Sequence, residues 1–345
     1  MERNFPLVSI IVPCRNEKHF IEKCLDSINN QDYPKDKLEV LVIDGASSDG
    51  TSIILSKLVQ KRLNLRIFFN PRMVTPISMN IGIRNAKGAA IIRMDAHAEY
   101  SNDYISKCVQ ALFSNNNVVN IGNVGGRVAI LPSKDTLTAR AIAFSISNIA
   151  GSAGSTYKIS SNDKPIEVDT VFGGCYRREI FEKIGLFDER LTRSQDMEFN
   201  MRLKKTGGKI MLFPDIVVNY YPKSNFREFF VHNFWDGVWA VYPLKFVKMP
   251  FKLRHYIPLI FFLGLFSLSM IALFWRPAIL VLAVSIVFYF AVSLCFSLGI
   301  AIREKDWRYV FLMPIAFAIR HFGYGAGSAW GMIRLVTPQN NGGKS

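Results

Sequence analysis

The sequence predicts an α/β fold, a mostly parallel sheet with helices on both faces, followed by a C-terminal transmembrane helical region. Three observations carry this expectation. In the first part of the 345-residue chain, near-continuous apolar and β-branched runs alternate with stretches of helical length, the pattern of strands buried on both faces. Polar clusters follow three of those runs directly, "CRNE" (14–17), "DGASSDG" (44–50) and "DAHAE" (95–99). Open α/β sheets bind ligands at those carboxyl ends. Beyond Lys252 the chain turns to apolar runs longer than a globular core of this size needs.

The elements follow in order. "LVSIIVP" (7–13) is a first strand, with a helix from Glu17 to about Asn30. "LEVLVIDG" (38–45) is a second strand, with a helix over 50–62. "LRIFFN" (65–70) is a third, with a helix from Thr75 to Ala86, and "AAIIRMD" (89–95) a fourth, with a helix from about Asn102 to Asn115. From 116 to 165 the pattern weakens. There "GNVGGRVAIL" (122–131) fits a strand and 134–149 a helix, while the Gly/Ser-rich "GSAGSTYKISSNDK" (151–164) fits a mobile loop of the kind that serves as a substrate lid. "VFGGCYRREIFEKIGLFDE" (171–189), a helical 194–209 and the strand-like "IMLFPDIVVNYYP" (210–222) complete a first domain over residues 1–222.

Residues 223–254 read as an amphipathic, interfacial linker. In "HNFWDGVWAVYP" (232–243) Trp235 and Trp239 stand one helical turn apart, with Lys245 beyond. The membrane region covers 255–335, and 336–345 is a polar tail. Its runs "YIPLIFFLGLFSLSMIALFW" (256–275) and "PAILVLAVSIVFYFAVSLCFSLGIAI" (277–302) carry no charge. Each reaches the roughly 20 residues a helix needs to cross a bilayer. A third run (309–333) contains Arg320 and His321 and fits a span, a re-entrant segment or an interfacial helix. Lys245, Lys248, Lys252 and Arg254 precede the first run, and Arg303, Lys305 and Arg308 follow the second. By the positive-inside rule these ends, and the first domain, face the cytoplasm.

Charge divides the same way. The formal net charge of +15 separates into 29 basic and 23 acidic residues over 1–222 and 13 basic and 4 acidic over 223–345. The C-terminal excess surrounds the apolar runs and suits anionic lipid headgroups. No basic-aromatic stripe argues for nucleic acid. The five scattered cysteines show no CxxC spacing, which argues against a disulfide framework or zinc site and fits a reducing compartment. The N-terminal "MERNFPLVSIIVPC" lacks a basic n-region and small cleavage-site residues, so it reads as a strand and not a signal peptide.

Five motifs, "VSIIVPCRNE" (8–17), "VLVIDGASSDGT" (40–51), "RMDAHAEY" (93–100), "GGCYRREIFEKIGLFDE" (173–189) and "QDMEFNMRLKKTGGK" (195–209), stand in the order of the family-2 glycosyltransferases. Over about 7–215 the chain resembles these inverting enzymes, which have a GT-A fold and use nucleotide-diphospho-sugars. The DAH variant and the tail "RHFGYGAG" are most similar to bacterial succinoglycan-type glucosyltransferases, which extend a lipid-linked saccharide. The resemblance implies that Asp44 hydrogen-bonds the base or ribose, with Pro13, Arg15 and Glu17 on the same lip. A UDP-sugar is the expected donor. Asp44 in an Asp-Gly turn and Asp49 as an N-cap are the structural alternatives.

Where the family carries Asp-X-Asp, a ligand of a divalent cation that bridges the phosphates, this chain has Asp95 and His97. Mg²⁺ strongly prefers oxygen donors and imidazole suits Mn²⁺ better, so the variant tilts the expectation toward Mn²⁺. His97 as a solvated turn residue is the alternative. The family's Glu-Asp pair is here Gln195-Asp196, which leaves Asp196 as the expected catalytic base. Thr192-X-X-Gln195 also has the spacing of a capping box. Gly173 and Gly174 are expected to allow backbone approach to the sugar or acceptor, with Gln195, Trp235 and Trp239 as further acceptor candidates. The Gln-X-X-Arg-Trp motif of processive members is absent, which argues against a polymer-extruding synthase. The expected activity is transfer of a single sugar to a polyprenyl-linked acceptor. The alternatives are a polyprenyl-phosphate sugar synthase and a non-catalytic nucleotide-sugar-binding subunit.

Overall fold

The computed structural model describes residues 5–60, 64–113, 120–148, 164–247 and 253–337. By contact the chain divides into two units, Met1–Ala129 with Thr156–Tyr221, and Ile130–Ser155 with Pro222–Ser345.

The first unit is built on a nine-stranded sheet. Four parallel strands come first: β1 (Val8–Cys14), β2 (Leu38–Asp44), β3 (Leu65–Phe69) and β4 (Ala90–Arg93). Then follow β5 (Ala98–Tyr100), β6 (Ile121–Ile130), β7 (Ile166–Glu167), β8 (Cys175–Arg177) and β9 (Lys209–Tyr220). The order is β3-β2-β1-β4-β8-β6-β9-β5, with β7 beside β9. The β1–β2, β1–β4 and β2–β3 pairs are parallel. Beyond β4 the pairing turns antiparallel at β4–β8, β6–β8, β5–β9 and β7–β9. The sheet is therefore mixed. It is parallel where helical crossovers separate the strands, and antiparallel where short connections or a late return of the chain supply the partner.

Helices α1 (Ile21–Asn29), α2 (Thr51–Val59), α3 (Thr75–Asn85) and α4 (Tyr104–Phe113) follow the parallel strands in turn. Alternation along β1 explains the two layers, since successive side chains point to opposite faces. Val8, Ile10 and Val12 pack with Ile21, Leu25 and Ile28 of α1 and Cys108 and Leu112 of α4. Ile11 points the other way, toward Met79 and Ile83 of α3. That second layer also contains Phe181 of α6 (Arg178–Ile184) and Phe199 of α7 (Gln195–Lys205). Gly82 of α3 lies where a Cβ would come 2.6 Å from the Ile11 side chain, so only glycine lets this helix sit so close.

The second unit is helical: α5 (Leu137–Ser147), α8 (Phe226–Val241), α9 (Ile257–Ala272), α10 (Arg276–Glu304) and α11 (Tyr309–Val336). Thr136 caps α5 by accepting from the Ala139 amide at 3.2 Å, and Asn225 caps α8 by accepting from Glu228 at 2.9 Å. Sequence reading puts 134–149 in the first domain, but α5 packs Ala141 and Phe144 against Tyr309 and Phe317 of α11. The segment 223–254, expected as a linker, is largely a packed helix, because glycines let α8 and α11 meet backbone to backbone. A Cβ on Gly327 would come 1.9 Å from the Phe234 carbonyl oxygen, and one on Gly237 would come 2.0 Å from that of Tyr324.

Of the described helices one, α10, is long and apolar enough to cross a membrane, with mean hydropathy 2.7 over its best window. The run at 256–275 condenses into the 16-residue α9, while the run at 309–333 lies within the 28-residue α11, which has Pro314 inside it. The Gly/Ser-rich stretch read as a loop lies, but for Lys164, outside the described residues.

Candidate active site

Register brings the polar strand ends together. Cys14 pairs with Asp44, and Asp44 with Phe69, so the loops after β1, β2 and β3 leave the sheet side by side. The first two are laced by hydrogen bonds. The Asn16 amide donates to Ser47 Oγ at 2.9 Å and the Ser48 amide to Asn16 Oδ1 at 2.9 Å. Glu17 donates its amide to Thr51 Oγ1 at 2.8 Å, and Lys18 its amide to Asp49 Oδ2 at 3.1 Å. Each of the three loops also holds a non-glycine residue in the left-handed region: Asn16 (φ 57°), Ala46 (φ 55°) and Met73 (φ 61°). Such backbone costs about 1–3 kcal/mol per residue and persists where surrounding structure imposes it, often at ligand sites.

These loops surround an open cavity of about 230 Å³, lined among others by Pro13, Arg15, Glu17, Arg93, Asp95 and His97. Gly45, Met73, Val74, Thr75 and Ser78 close another side. Five residues singled out from sequence thus share one wall. His97 Nδ1 stands 3.1 Å from Glu17 Oε1, and the His97 ring meets Tyr220 edge-on at 5.4 Å. Asp95 is buried and held from several sides. Its amide donates to the Tyr100 hydroxyl at 2.6 Å, and its carbonyl accepts from the Ala98 amide at 3.1 Å.

The Asp95 carboxylate accepts Arg93 Nε at 2.7 Å and Nη2 at 3.1 Å, a two-point ion pair. Burial alone would disfavour the guanidinium charge, but Asp95 and then Asp196 hold its pKa above the ordinary arginine value. Sequence reading missed Arg93 as a site residue. Its signal was present: a guanidinium closing a strand whose three preceding residues, Ala90, Ile91 and Ile92, are fully buried needs a partner.

Asp44 is buried at 5 % exposure and does not line the cavity. Its Oδ1 accepts the Ser47 amide at 3.0 Å and its Oδ2 the Ser52 hydroxyl at 2.5 Å, so it shapes the second loop from beneath. Asp49 is the loop's other tie, with Oδ1 accepting the Thr51 amide at 3.0 Å. The Cys14 thiol is pushed up by burial first and then by Asp44 and Glu17. Cys175 is likewise raised, by burial and by its hydrogen bond to Cys108, which leaves both as packing groups.

Asp196 occupies the first turn of α7, where Oδ1 accepts the Met197 amide at 2.9 Å. The expected capping box does not form: the N-cap is Ser194, in the left-handed region, with no side-chain cap bond, so Thr192 lies outside the helix. Instead α7 is fixed from its flanks. Asn200 accepts Asn123 Nδ2 at 2.9 Å and donates to Thr170 Oγ1 at 3.1 Å. Arg202 donates to Glu198 at 2.6 and 2.8 Å and to the Leu186 carbonyl at 2.7 Å. Gln195 is buried, and its Oε1 has no hydrogen-bond partner among the described residues.

Gly173 (φ +69°) and Gly174 (φ +92°) need their conformation for an internal reason. A Cβ on Gly173 would come 2.6 Å from the Arg93 carbonyl, and the Arg93 amide donates to Gly174 O at 3.1 Å. The close approach that they permit is to β4. Trp235 and Trp239 lie on α8 of the helical unit, where Arg334 stacks on Trp235 at 5.7 Å and Trp239 meets Tyr242 at 5.5 Å. Among the described residues no three His, Cys, Asp or Glu side chains gather as a self-sufficient metal site. Asp95 and His97 nonetheless offer one carboxylate and one imidazole to the same cavity. A carboxylate has lone pairs beyond the two that accept from Arg93.

The mixed sheet with a cavity at its parallel strand ends is that of the GT-A transferases. A solved mannosyltransferase from Pyrobaculum calidifontis, in complex with GDP-Man and Mn²⁺, superposes with TM-score 0.62 and 22% identity, covering 95% of this chain and 88% of that one. The chain belongs to glycosyl transferase family 2, whose family model matches residues 9–185, and it is a glycosyltransferase. It is 29% identical over 95% of its length to 97% of the dolichyl N-acetyl-alpha-D-glucosaminyl phosphate 3-beta-D-2,3-diacetamido-2,3-dideoxy-beta-D-glucuronosyltransferase of Methanococcus voltae. Over 92% of both chains it is 25% identical to the succinoglycan biosynthesis protein ExoA of Rhizobium meliloti (strain 1021).

Proposed function

We propose that this glycosyltransferase is membrane-anchored and transfers one sugar, with inversion, from a nucleotide-diphospho-sugar to a polyprenyl-linked saccharide. Such a step belongs to exopolysaccharide or surface-glycan assembly, as the names of the two relatives suggest. The observation that carries the reading is the gathering of Pro13, Arg15, Glu17, Asp95 and His97 on one cavity at the carboxyl ends of the parallel strands.

Asp95 and His97 would hold a divalent cation, Mn²⁺ before Mg²⁺ because of the imidazole. When bound, the cation offsets the negative charge that develops on the leaving diphosphate. Asp196 takes the proton of the acceptor hydroxyl as that oxygen bonds to the anomeric carbon and the bond to the diphosphate breaks. A single displacement inverts the anomeric centre and needs no nucleophile on the donor face. The apolar helices α9 and α10 anchor the chain on the cytoplasmic side, where a UDP-sugar or related donor is available. Gln195, next to Asp196 at the start of α7, serves the acceptor.

Detergent-purified protein is supplied with a panel of nucleotide sugars, a polyprenyl-linked acceptor, and Mn²⁺, Mg²⁺ or EDTA. One donor is consumed with metal, and Asp95→Ala and Asp196→Asn each lose about a hundredfold or more. A phosphate nucleophile needs no base, so full activity in Asp196→Asn would instead favour a polyprenyl-phosphate sugar synthase. No turnover with any donor would refute the reading.

A further inference from the structure

Arg93 is built into the sheet more firmly than a surface cation. Its amide donates to Gly174 O, and its carbonyl abuts Gly173, whose left-handed conformation and missing side chain allow that contact. From this fixed backbone Arg93 lines the same cavity as Glu17, Asp95 and His97. Nε and Nη2 are engaged by Asp95, whereas Nη1 makes no hydrogen bond to protein among the described residues. One edge of the planar fork is thus held by a carboxylate while the other keeps its donors.

A mere neutraliser of Asp95 would need only the first edge. The cavity wall carries the carboxylates of Glu17 and Asp95, and a diphosphate brought there meets repulsion that positive charge must offset. Arg15, on the exposed loop, and Arg93, on the sheet, are the arginines on that wall. Guanidinium matches phosphate geometry in a way that ammonium does not.

Resting on the nucleotide-diphospho-sugar reading, we propose that Arg93 is a donor-binding residue, which contacts the diphosphate through its Nη1 edge while Asp95 holds the opposite edge. The carboxylate thereby orients a cation toward the phosphates, and part of the affinity for a diphosphate is independent of metal.

The test compares UDP with UMP, and GDP with GMP, by calorimetry on the full-length protein in detergent, with EDTA and with Mn²⁺. In EDTA the wild type prefers diphosphate to monophosphate. Arg93→Met cuts that preference by about tenfold, the scale of one charge-assisted contact, and leaves monophosphate affinity within about twofold. Arg93→Lys, which keeps a charge beside Asp95 but loses the fork, falls between them. A purely structural arginine would lower monophosphate and diphosphate affinity alike in both variants, and that result overturns the proposal, as does an unchanged preference in Arg93→Met. If the wild type binds neither nucleotide even with Mn²⁺, the donor reading fails first and the proposal with it.

Discussion

Asp188 and Arg190 form a two-point ion pair in the loop between α6 and α7, with Nη2–Oδ2 at 2.6 Å and Nε–Oδ1 at 2.9 Å. The Arg190 hydrogen bond holds the Asp188 carboxyl below the usual carboxylate range, against some burial. A depressed folded-state pKa contributes stability that is full above the unfolded value, near 3.9, and is lost as pH falls through the folded one. Asp188→Asn is therefore expected to lower the melting temperature slightly at pH 7. The difference from wild type should shrink as pH falls through the depressed folded-state pKa of Asp188, and it is small throughout, because the arginine is well exposed and the pair is worth no more than about 1 kcal/mol. Thermal melts from pH 7 down to 2.5 check this. At the same scale, Asp95, His97 and Glu17 were legible because short polar motifs follow apolar strands directly. Arg93 was missed although its partner Asp95 stands two residues on, because the glycines that fix its backbone come from a distant segment. Asp44 was legible as a site residue by resemblance, yet its oxygens turn inward to Ser47 and Ser52.

Among the elements, α8 and α11 depend on glycine most. Gly323, Gly327 and Gly331 recur every four residues along α11 and face Phe230, Phe234 and Val238 of α8. Gly327→Leu would drive a side chain into the Phe234 carbonyl and is expected to abolish cooperative melting of the helical unit, beyond the roughly 1–3 kcal/mol of ordinary overpacking. Gly264→Ala, on α9 with nothing within 4 Å of the added carbon, should be neutral. Circular dichroism melts of the two variants in detergent distinguish them. The four parallel strands were readable because each is a continuous apolar run followed by a helix. In the antiparallel half the long β6 and β9 were readable as 122–131 and 210–222, but β5, β7 and β8 were not, for they are two or three residues long, too short to show a period. The grouping of α5 with the helical unit is set by tertiary contacts that no local pattern records.

For the whole molecule, the exposed apolar surface of α10 is the dominant unexplained area in water. Leu280, Val287 and Phe288 are each about two-thirds exposed along a 29-residue helix, which at 1.5 Å per residue is long enough for a bilayer core of about 30 Å. The chain is expected in the membrane fraction, resistant to alkaline carbonate. Val287→Lys with Phe288→Lys should release it or block its insertion, since each charge near a helix centre costs about 2.5–3.5 kcal/mol. Wild type recovered in the soluble fraction without detergent would contradict the anchor. The central claim, that a nucleotide diphosphate and a cation meet at Asp95 and His97, is tested most directly by electron paramagnetic resonance titration of Mn²⁺. With two protein ligands alone, Mn²⁺ should bind weakly to the free protein, tighten about tenfold or more with UDP or GDP, and lose that gain in Asp95→Ala. Tight Mn²⁺ binding that ignores both the nucleotide and Asp95→Ala would contradict the account.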